Sequence, residues 1–396
     1  MNTRELFLQH VAQTSPSPVA IEVVKAKGSI LIDADGKEYL DCIAGISVCN
    51  LGHGHPKVIK AIKKQLDDYM HVLVYGEMIE SPQVAYAKLL TDQLPPYLNS
   101  VYFTNSGTEA TEGSMKLAKR YTGRPEIICF NKCYHGSTQG ALSLIGDEYW
   151  RSAFRPLLPG VFHLEYNDFV SIGFVTNQTA CVILESVQAE AGVIAPSKEW
   201  MIALRDRCTV TGTLLILDEI QTGFGRTGTL WAFEQFGIAP DVLLLGKALG
   251  GGMPLGAFIA SRSLMEVFTK NPVLGHITTF GGHPVSCAAG LASLKVLLKK
   301  NIIAEVDTKQ QLFTELLVHP KILDVRANGL LMAVQFENAS LAKKIIQACI
   351  EEGVLTDWFL FAPQCMRLAP PLTITEKEIR QACKTILAAM DSVQEV

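Results

Sequence analysis

Six short apolar runs between residues 100 and 260 constrain the fold of this chain more than any other feature of its sequence. Segments with a helical pattern separate the runs, which are Val101–Phe103, Ile127–Phe130, Cys181–Leu184, Leu214–Leu217, Val242–Leu245 and Phe258–Ala260. Strands that are apolar throughout, without alternation, are buried on both faces, as in a parallel sheet that helices cover. The sequence therefore predicts an α/β fold with a mainly parallel sheet.

The two ends of the chain carry shorter patterns. They predict strands at Ile21–Val24, Ile30–Ile32, Glu38–Leu40, Leu323–Val325 and Leu330–Phe336, and helices from Pro56 to about His71, from about residue 285, and after Thr375. We expect both ends to build one smaller α+β domain. Its two parts would be residues 1–47 and 285–396, and residues 48–284 would form the large domain.

Size and composition favour an intracellular enzyme. The chain has 396 residues, 48% of them hydrophobic, which is enough for two domains. A net charge of −4 and a pI of about 6.2 argue against nucleic acid or an anionic membrane as partner. Ten scattered cysteines indicate reduced thiols in the cytoplasm. We expect no leader segment and no membrane span, because no apolar stretch is long enough.

One lysine stands where an apolar strand is predicted to end. Val242–Leu245 leads through Gly246 into Lys247, and three glycines follow at residues 250–252. A lysine at a buried strand end is costly unless its amine is neutral, paired or covalently used. Asp218 ends another apolar strand earlier in the chain. Such a pair suits a pyridinium cofactor, with the aspartate on the ring nitrogen and the lysine in a Schiff base. A structural ion pair is the alternative.

A small-residue segment follows the first apolar run. Ser106, Gly107 and Thr108 open a predicted helix that continues to about Tyr121. The free N–H groups and dipole of a helix N-terminus suit a phosphate group. The alternative is an ordinary N-cap, completed by Glu112.

Two further runs end in polar or aromatic residues. Tyr134 and His135 follow Ile127–Phe130, and Glu185 and Glu190 follow Cys181–Leu184. In a parallel sheet all these positions lie at one edge, where ligands bind. A core tyrosine, a satisfied surface histidine and solvated carboxylates are the alternatives.

Two patterns resemble known ligand sites but lack the required context. The stretch Gly223–Gly228 matches G-x-G-x-x-G, yet Asp218–Thr222 separates it from the strand and no long helix follows, which argues against a dinucleotide site. His53 and His55 have no cysteine or carboxylate set with metal-ligand spacing, so we predict no metal site.

With these residues identified, the whole chain resembles the class III, pyridoxal-phosphate-dependent aminotransferases of fold type I. The match extends from Asp33–Asp41 to Arg367–Leu372, and its most specific part is Leu217–Gly228 followed by Lys247-Ala-Leu-Gly-Gly-Gly. The resemblance implies a large domain with a seven-stranded, mainly parallel sheet. It also implies pyridoxal 5′-phosphate as cofactor and a homodimer with shared active sites.

The resemblance also implies roles for individual residues. Lys247 would carry the cofactor as a Schiff base and move the proton, and Asp218 would keep the pyridine nitrogen protonated. The remaining implied cofactor contacts are Gln221 at the phenolic oxygen, Tyr134 on the ring, His135 and Glu185 beside it, Ser106, Gly107 and Thr108 at the phosphate, and Thr279 reaching the partner subunit's phosphate.

Substrate residues follow from the same resemblance. Glu190 would cover Arg367 while a terminal amine reacts and release it when 2-oxoglutarate binds. Ile46, Ser137 and Thr278 would complete the substrate site. The implied function is ω-amino transfer from an acetylornithine or ornithine type of donor to 2-oxoglutarate, with pyruvate as another acceptor.

The sequence departs from the family pattern at several positions. Ser137 stands where these enzymes usually have a carboxylate-binding arginine, and His283 stands for asparagine. Either Arg151 or Arg155 replaces that arginine, or the donor lacks the carboxylate. Therefore 4-aminobutyrate, other ω-amino acids and diamines stay open as donors.

Readings from other classes also stay open. A cofactor-free binding protein on this fold would lack Lys247 or Asp218, and both are present. A nicotinamide oxidoreductase is disfavoured by the misplaced glycine pattern. An aminomutase or a decarboxylase of class III would differ by lacking a competent Glu190–Arg367 pair.

Overall fold

The N-terminal part of the chain forms a helix, three antiparallel strands and a left-handed turn. The computed structural model describes residues 2–299 and 301–394. The elements are α1 (Thr3–His10), β1 (Val23–Lys27), β2 (Ile30–Asp33), β3 (Glu38–Asp41) and the single turn α2 (Ala44–Ser47). The predicted β-structure is confirmed, although its first strand begins two residues later than expected.

Two helices connect this part to the central sheet. They are α3 (Pro56–Asp68) and α4 (Ser81–Thr91). Pro56 begins α3, where its missing N–H costs nothing. The helix ends at Asp68, before the expected His71, because Tyr69 adopts an extended conformation. The sequence did not predict α4.

The central element is a seven-stranded sheet. Its strands are β4 (Ser100–Thr104), β5 (Glu126–Phe130), β6 (Val161–Leu164), β7 (Thr179–Glu185), β8 (Leu214–Asp218), β9 (Val242–Leu245) and β10 (Gly256–Ala260). Their order is β4-β10-β9-β8-β7-β5-β6, and the five strands from β9 to β6 are mutually parallel. Only β10 pairs antiparallel, with β4 and with β9. The predicted mainly parallel sheet is therefore confirmed.

Helices follow most strands of this sheet. They are α5 (Gly107–Thr122), α6 (Gln139–Ser143), α7 (Glu148–Arg151), α8 (Lys198–Thr211) and α9 (Arg262–Met265), with 3₁₀ turns at Ser152–Phe154, Ser171–Phe174, Ala232–Phe236, Lys247–Gly250 and Glu266–Thr269. The long helix predicted from Ser106 to about Tyr121 corresponds to α5.

The C-terminal part returns to the first sheet. Its elements are α10 (Pro284–Lys299), α11 (Val306–Leu316), β11 (Asp324–Asn328), β12 (Leu331–Gln335), α12 (Ala339–Glu351), β13 (Val354–Leu355), β14 (Asp357–Phe359), β15 (Ala362–Leu368) and α13 (Glu376–Ser392). Strands β11-β12-β15-β14 form an antiparallel sheet, and β13 pairs with β3 in the other. Both chain ends thus build the smaller α+β part. The boundaries near residues 47 and 284 stay a prediction.

Alternate residues of the central strands contribute to two different cores. In β8, Leu215 and Leu217 belong to one hydrophobic cluster, and Leu214 and Ile216 belong to the other. Because side chains alternate between the faces of a strand, each cluster lies on one face of the sheet. This arrangement explains why the runs contain no polar alternation.

One buried arginine ties three parts of the chain together. The guanidinium of Arg226 donates to the carbonyls of Leu330 (2.8 Å) and Pro370 (2.6 Å) and to the side-chain oxygen of Asn50 (2.7 Å). A buried charge is retained only where hydrogen bonds satisfy it. Arg226 therefore holds the N-terminal segment and the C-terminal part against the glycine-rich turn that carries it.

Several expected absences are consistent with the described ranges. Within residues 2–299 and 301–394, no helix is long and apolar enough to cross a membrane. The ten cysteines are free thiols.

Candidate active site

A cavity of about 290 Å³ lies at the carboxyl ends of the parallel strands. Ten of the predicted site residues line it: Gly107, Thr108, Tyr134, His135, Ser137, Glu185, Glu190, Asp218, Gln221 and Lys247. Gly136, Ile220 and Thr222 also line it and were not predicted. Their signal was their position next to predicted residues, because neighbours of a strand end share the same edge.

Lys247 begins a 3₁₀ turn directly after β9 and Gly246. Its backbone has a φ of 49°, an uncommon conformation for a residue with a side chain. The Nζ atom donates a hydrogen bond to Oε1 of Gln221 at 2.5 Å. Burial lowers the pKa of the Lys247 amine to about 8. A substantial fraction of the amine is therefore neutral near neutral pH.

Asp218 is the last residue of β8, and both of its carboxylate oxygens have partners. Oδ2 lies 2.7 Å from Nδ1 of His135, and Oδ1 accepts the backbone N–H of Ile220 at 2.9 Å. The carboxylate is 4% exposed. These contacts fix its orientation toward the cavity edge, which separates Asp218 from a simple ion pair with Lys247.

Glu185 lies beside Asp218 because β7 and β8 pair in that register. Its carboxylate accepts the backbone N–H groups of Tyr134 (3.0 Å) and Ala189 (2.9 Å). Burial raises the pKa of Glu185 to about 8. Glu185 is therefore held by backbone donors and is not a solvated surface carboxylate.

The N-terminus of α5 reaches the cavity through Gly107 and Thr108. A side chain at Gly107 would bring its Cβ within 2.7 Å of Cδ1 of Ile220, so this close approach requires glycine. Ser106 is the N-cap and accepts the N–H of Glu109. The carboxylate that completes this cap is Glu109, bound to the N–H of Asn105 at 2.7 Å.

The alternative that assigned this capping role to Glu112 is wrong. Glu112 instead accepts the hydroxyl of Thr138 at 2.6 Å and the N–H groups of Gly140 and Ala141. It therefore organises the start of α6, because its position in α5 is one turn too far from Ser106.

Glu190 and Arg367 form a buried, two-point ion pair. The Nη1–Oε1 and Nη2–Oε2 distances are 2.9 and 3.0 Å. Glu190 also accepts the N–H of Leu360 at 3.0 Å. The Arg367 guanidinium lies 4.5 Å from the ring centre of Phe359. Glu190 lines the cavity, and Arg367 is reached through it.

Asp357 is a third member of this group that the sequence did not reveal. Its Oδ1 lies 3.0 Å from Nε of Arg367. Burial raises the pKa of Asp357 to about 6. Asp357 lies on β14, a strand of three residues that pairs with Arg367 across β15. Such a short strand leaves no periodic pattern in the sequence.

Four other predicted residues lie outside the lining of the cavity. Ile46 lies in the left-handed turn α2 with a φ of 61°. Ser106 is the cap described above. Thr278 accepts the side-chain N–H of Asn105 at 3.0 Å, and Thr279 is exposed. Thr278 therefore contacts the residue that precedes Ser106 in its own chain.

Ser137 lines the cavity, and its hydroxyl lies 3.0 Å from the Tyr134 hydroxyl. The two arginines considered as substitutes at this position are engaged elsewhere. Arg151 and Arg155 both bind Glu148, at 2.8 Å each, and Arg151 also contacts His163. Neither arginine lines the cavity.

The two patterns judged to lack context behave as expected. Gly225 and Gly228 have positive φ within a turn, and only the 3₁₀ turn Ala232–Phe236 follows. His53 pairs with Asp41 at 2.7 Å. In the described ranges no group of three or more histidines, cysteines or carboxylates is arranged for a metal ion.

Comparisons with known proteins agree with this geometry. The family model of class III aminotransferases matches residues 11–390. An acetylornithine aminotransferase of Bacillus cereus is 39% identical over 368 residues, which cover 91% of this chain and 92% of the relative. A putrescine aminotransferase of Pectobacterium atrosepticum is 38% identical and covers 92% of this chain and 81% of the relative.

Solved structures show the same fold. The ornithine aminotransferase of Toxoplasma gondii, which holds pyridoxal phosphate at partial occupancy in its active site, superposes with a TM-score of 0.91 at 29% identity, covering 98% of this chain and 93% of that one. An (S)-enantioselective ω-transaminase of Thermomicrobium roseum gives a TM-score of 0.90 at 28% identity, covering both chains fully. The chain therefore belongs to the class III aminotransferase family, and it is a transaminase of fold type I.

Proposed function

We propose that the protein is an ω-aminotransferase that moves a terminal amino group from an amine or amino-acid donor to 2-oxoglutarate. The observation that carries the proposal is the two-point Glu190–Arg367 pair, which borders the cavity that holds Lys247. The cofactor is pyridoxal 5′-phosphate. When bound, it supplies an aldehyde that reacts reversibly with primary amines and a ring that accepts electrons from a broken C–H bond.

The polar groups of the cavity fit this cofactor. The N-terminus of α5 at Gly107 and Thr108 offers N–H donors to a phosphate. Asp218 is a buried carboxylate suited to hold a proton on a pyridine nitrogen. Nε2 of Gln221 is buried and has no hydrogen-bond partner among the described residues. It therefore has a free donor for an acceptor such as the phenolic oxygen.

The supporting residues keep these groups in place. His135 holds Asp218 through Nδ1, and Glu185 holds the backbone of Tyr134. In this proposal the Tyr134 ring covers one face of the cofactor. The side chains are therefore oriented by protein contacts before a ligand arrives, which reduces the cost of binding.

Lys247 is the group that attaches the cofactor and moves the proton. The pKa of its amine is lowered to about 8 by burial, so Nζ is available as a nucleophile and as a base near neutral pH. Nζ takes the proton from the donor carbon that bears the amine and returns it to the product side. The Gln221 side chain orients Nζ between these steps.

Glu190 and Arg367 let one cavity accept two kinds of substrate. While a terminal amine reacts, Glu190 neutralises Arg367 and the donor needs no carboxylate there. When 2-oxoglutarate binds, Glu190 leaves and Arg367 grips the carboxylate at two points. Asp357 stays with Nε of Arg367 and keeps the guanidinium in position.

For the donor we infer the acetylornithine or ornithine type, with a diamine as the second candidate. The diamine is favoured by Ser137 at the cavity and by the binding of both Arg151 and Arg155 to Glu148. No arginine of this chain that lines the cavity is then available for a distal carboxylate in the described ranges. 4-Aminobutyrate, other ω-amino acids and an aminomutase reaction are further alternatives.

We infer that the active enzyme is a homodimer with shared active sites, located in the cytoplasm. An exposed apolar face supports the dimer, and it consists of Met70, Leu73, Met78, Ile79, Val84, Ile277 and Phe280. Its two segments are adjacent, because the His71 and Phe280 rings lie 4.9 Å apart. Thr279 is exposed on this face, where it can reach the partner's phosphate. The free thiols support a reducing compartment.

A panel of amines tests the proposal. The purified protein with cofactor is mixed with putrescine, ornithine, acetylornithine or 4-aminobutyrate, and the visible spectrum reports conversion of the cofactor. 2-Oxoglutarate or pyruvate is then added to reverse it. Conversion by a terminal amine and reversal by 2-oxoglutarate are expected. Conversion by α-amino acids alone would overturn the ω-assignment.

A further inference from the structure

A second cavity, of about 250 Å³, borders the turn that follows Lys247. Four of its lining residues are glycines, Gly52, Gly54, Gly251 and Gly252, so few side chains fill it. The titratable groups in its lining are Cys49, His53 and His55. This cavity is separate from the transamination site.

Cys49 differs from the other cysteines of the chain. All ten cysteines are free, nine of them are buried, and Cys49 is partly exposed. Since it lines the cavity, its sulfur is the thiol that small molecules reach first. Accessible thiols near a positive charge are the reactive ones, because that charge favours the thiolate.

His53 supplies such a charge. Its Nε2 lies 2.7 Å from Oδ2 of Asp41, a carboxylate that is 1% exposed. The other oxygen of Asp41 accepts the N–H groups of Ile43 (2.9 Å) and Ala44 (2.8 Å), so the carboxylate is fixed. Hydrogen bonds to Asp41 and to the Cys49 thiol raise the pKa of His53 to about 10. The imidazole is therefore cationic at neutral pH.

The backbone fixes this arrangement as well. His53 exchanges two hydrogen bonds with Gly28, at 2.9 and 2.8 Å. The N–H of Gly52 bonds to the carbonyl of Cys49 at 2.9 Å and closes a tight turn. The thiol, the imidazole and the carboxylate thus form an ordered row, which is the arrangement of an activated nucleophile with an oriented partner.

We propose that Cys49 is a site of reversible modification, at which a small disulfide exchanges with the cysteine beside His53. The Cys49 sulfur bonds to one sulfur of the disulfide, and the original S–S bond breaks. The departing sulfur keeps the bonding pair and takes up the proton that Cys49 has given up. Cys49 is oxidised to a mixed disulfide, and the departing half is reduced to a thiol.

The modification acts on the active-site turn. A group attached to Cys49 occupies the cavity next to Gly251 and Gly252. The turn cannot retreat, because a Cβ on Gly251 would already lie 2.9 Å from the carbonyl oxygen of Ala289 and from Cβ of Ser293. We therefore expect the adduct to displace the segment that begins at Lys247 and to weaken the hold on the cofactor.

Labelling of the purified full-length protein with 2-hydroxyethyl disulfide tests the site. Intact-mass spectrometry should show a single hydroxyethylthio adduct, and peptide mapping should place it on Cys49. Cys49→Ser should lose the adduct. The matched control Cys208→Ser removes a buried thiol and should keep it. A first adduct on any other cysteine, or labelling that persists in Cys49→Ser, overturns the proposal.

The part of His53 is tested by rates. His53→Asn should slow labelling at pH 7 by about tenfold or more, because the stabilising cation is gone. The pH profile of the wild-type protein provides a second measurement that needs no variant. Its rate should change little between pH 6.5 and 8, whereas an ordinary thiol loses about tenfold per unit below pH 8.5. An ordinary profile overturns the role of His53. Neither result bears on transamination.

Discussion

At the residue scale, the site depends on charged groups that burial has altered. Lys247 lies in a cavity where desolvation disfavours its charged form, and Asp218 lies where His135 and a backbone N–H hold its carboxylate. The sequence identified both residues because a charged side chain directly after an apolar run is rare without a reason. It did not reveal Asp357, whose role depends on a contact across two strands.

The lowered pKa of Lys247 predicts the pH dependence of cofactor attachment. The neutral amine reacts, so uptake of pyridoxal 5′-phosphate by the apoenzyme should accelerate as pH rises through about 8 and then level off. One unit below the pKa, about a tenth of the amine is neutral, so the rate should be about tenfold lower. Stopped-flow absorbance measures it. A rate that keeps rising toward pH 10.5 would mean that burial has not altered this amine.

The Glu190–Arg367 pair predicts different effects on the two half-reactions. Glu190→Ala leaves Arg367 uncovered, so terminal-amine donors should react more slowly while glutamate is spared or improved. Arg367→Ala should mainly harm 2-oxoglutarate and glutamate, by roughly 2–5 kcal/mol, because one partner of a buried charge pair is removed. Single-turnover spectroscopy separates the two half-reactions.

A surface arginine provides the control for this comparison. Arg380 pairs with Glu376 on the exposed face of α13, so Arg380→Ala should leave both half-reactions unchanged. If Glu190→Ala slows both half-reactions equally, Glu190 is a structural carboxylate and the ω-donor proposal loses its main support.

At the scale of elements, strand ends determine where the chemistry lies. Each predicted run became a strand of the central sheet, and the residues after β5, β7, β8 and β9 line one cavity. The sequence predicted this because apolar runs separated by helices permit few arrangements. It missed β6, an edge strand whose residues are half-buried or exposed, and the three-residue β14. Neither strand has the apolar continuity or the alternation that marks a strand in a sequence.

The N-terminus of α5 offers a test at this scale. Gly107→Ala places a Cβ about where Cδ1 of Ile220 lies, at 2.7 Å, and should push Ile220 into the cavity. We expect the affinity for pyridoxal 5′-phosphate to fall by roughly tenfold, about 1.4 kcal/mol. Gly173→Ala is the matched control, because nothing lies within 4 Å of its Cβ. Equal affinity of both variants, measured by fluorescence titration, would place the phosphate elsewhere.

At the scale of the whole molecule, the two chain ends meet in one sheet and are fastened by a single arginine. Strand β13 pairs with β3, and Arg226 bonds to Asn50, Leu330 and Pro370. A substrate that reaches Arg367 therefore contacts a residue of the C-terminal part, while the cofactor residues lie on the central sheet. The sequence could not show this closure, because the pairs that form it are separated by hundreds of residues.

The subunit arrangement gives the last prediction. Ile79 is 93% exposed on the apolar face that includes Phe280, which is next to Thr279. Such a surface is costly in a monomer, so sedimentation should show a dimer or a larger assembly. Ile79→Lys should shift the protein toward monomers and reduce activity. Val170→Lys is the control, because Val170 is 77% exposed outside the apolar face.

Mixing experiments then identify the shared site. Lys247→Ala and Thr279→Ala subunits are each impaired when alone, but a mixed dimer contains one site in which neither lesion is present. If Thr279 serves the partner's phosphate, denaturing and refolding the two variants together should restore part of the activity, up to about a quarter of the wild-type sites for random pairing. If Thr279 instead acts within its own chain, each mixed dimer keeps one Lys247 lesion and one Thr279 lesion in separate sites. The mixture would then show only the average of the two variants, and the shared-site proposal would be wrong.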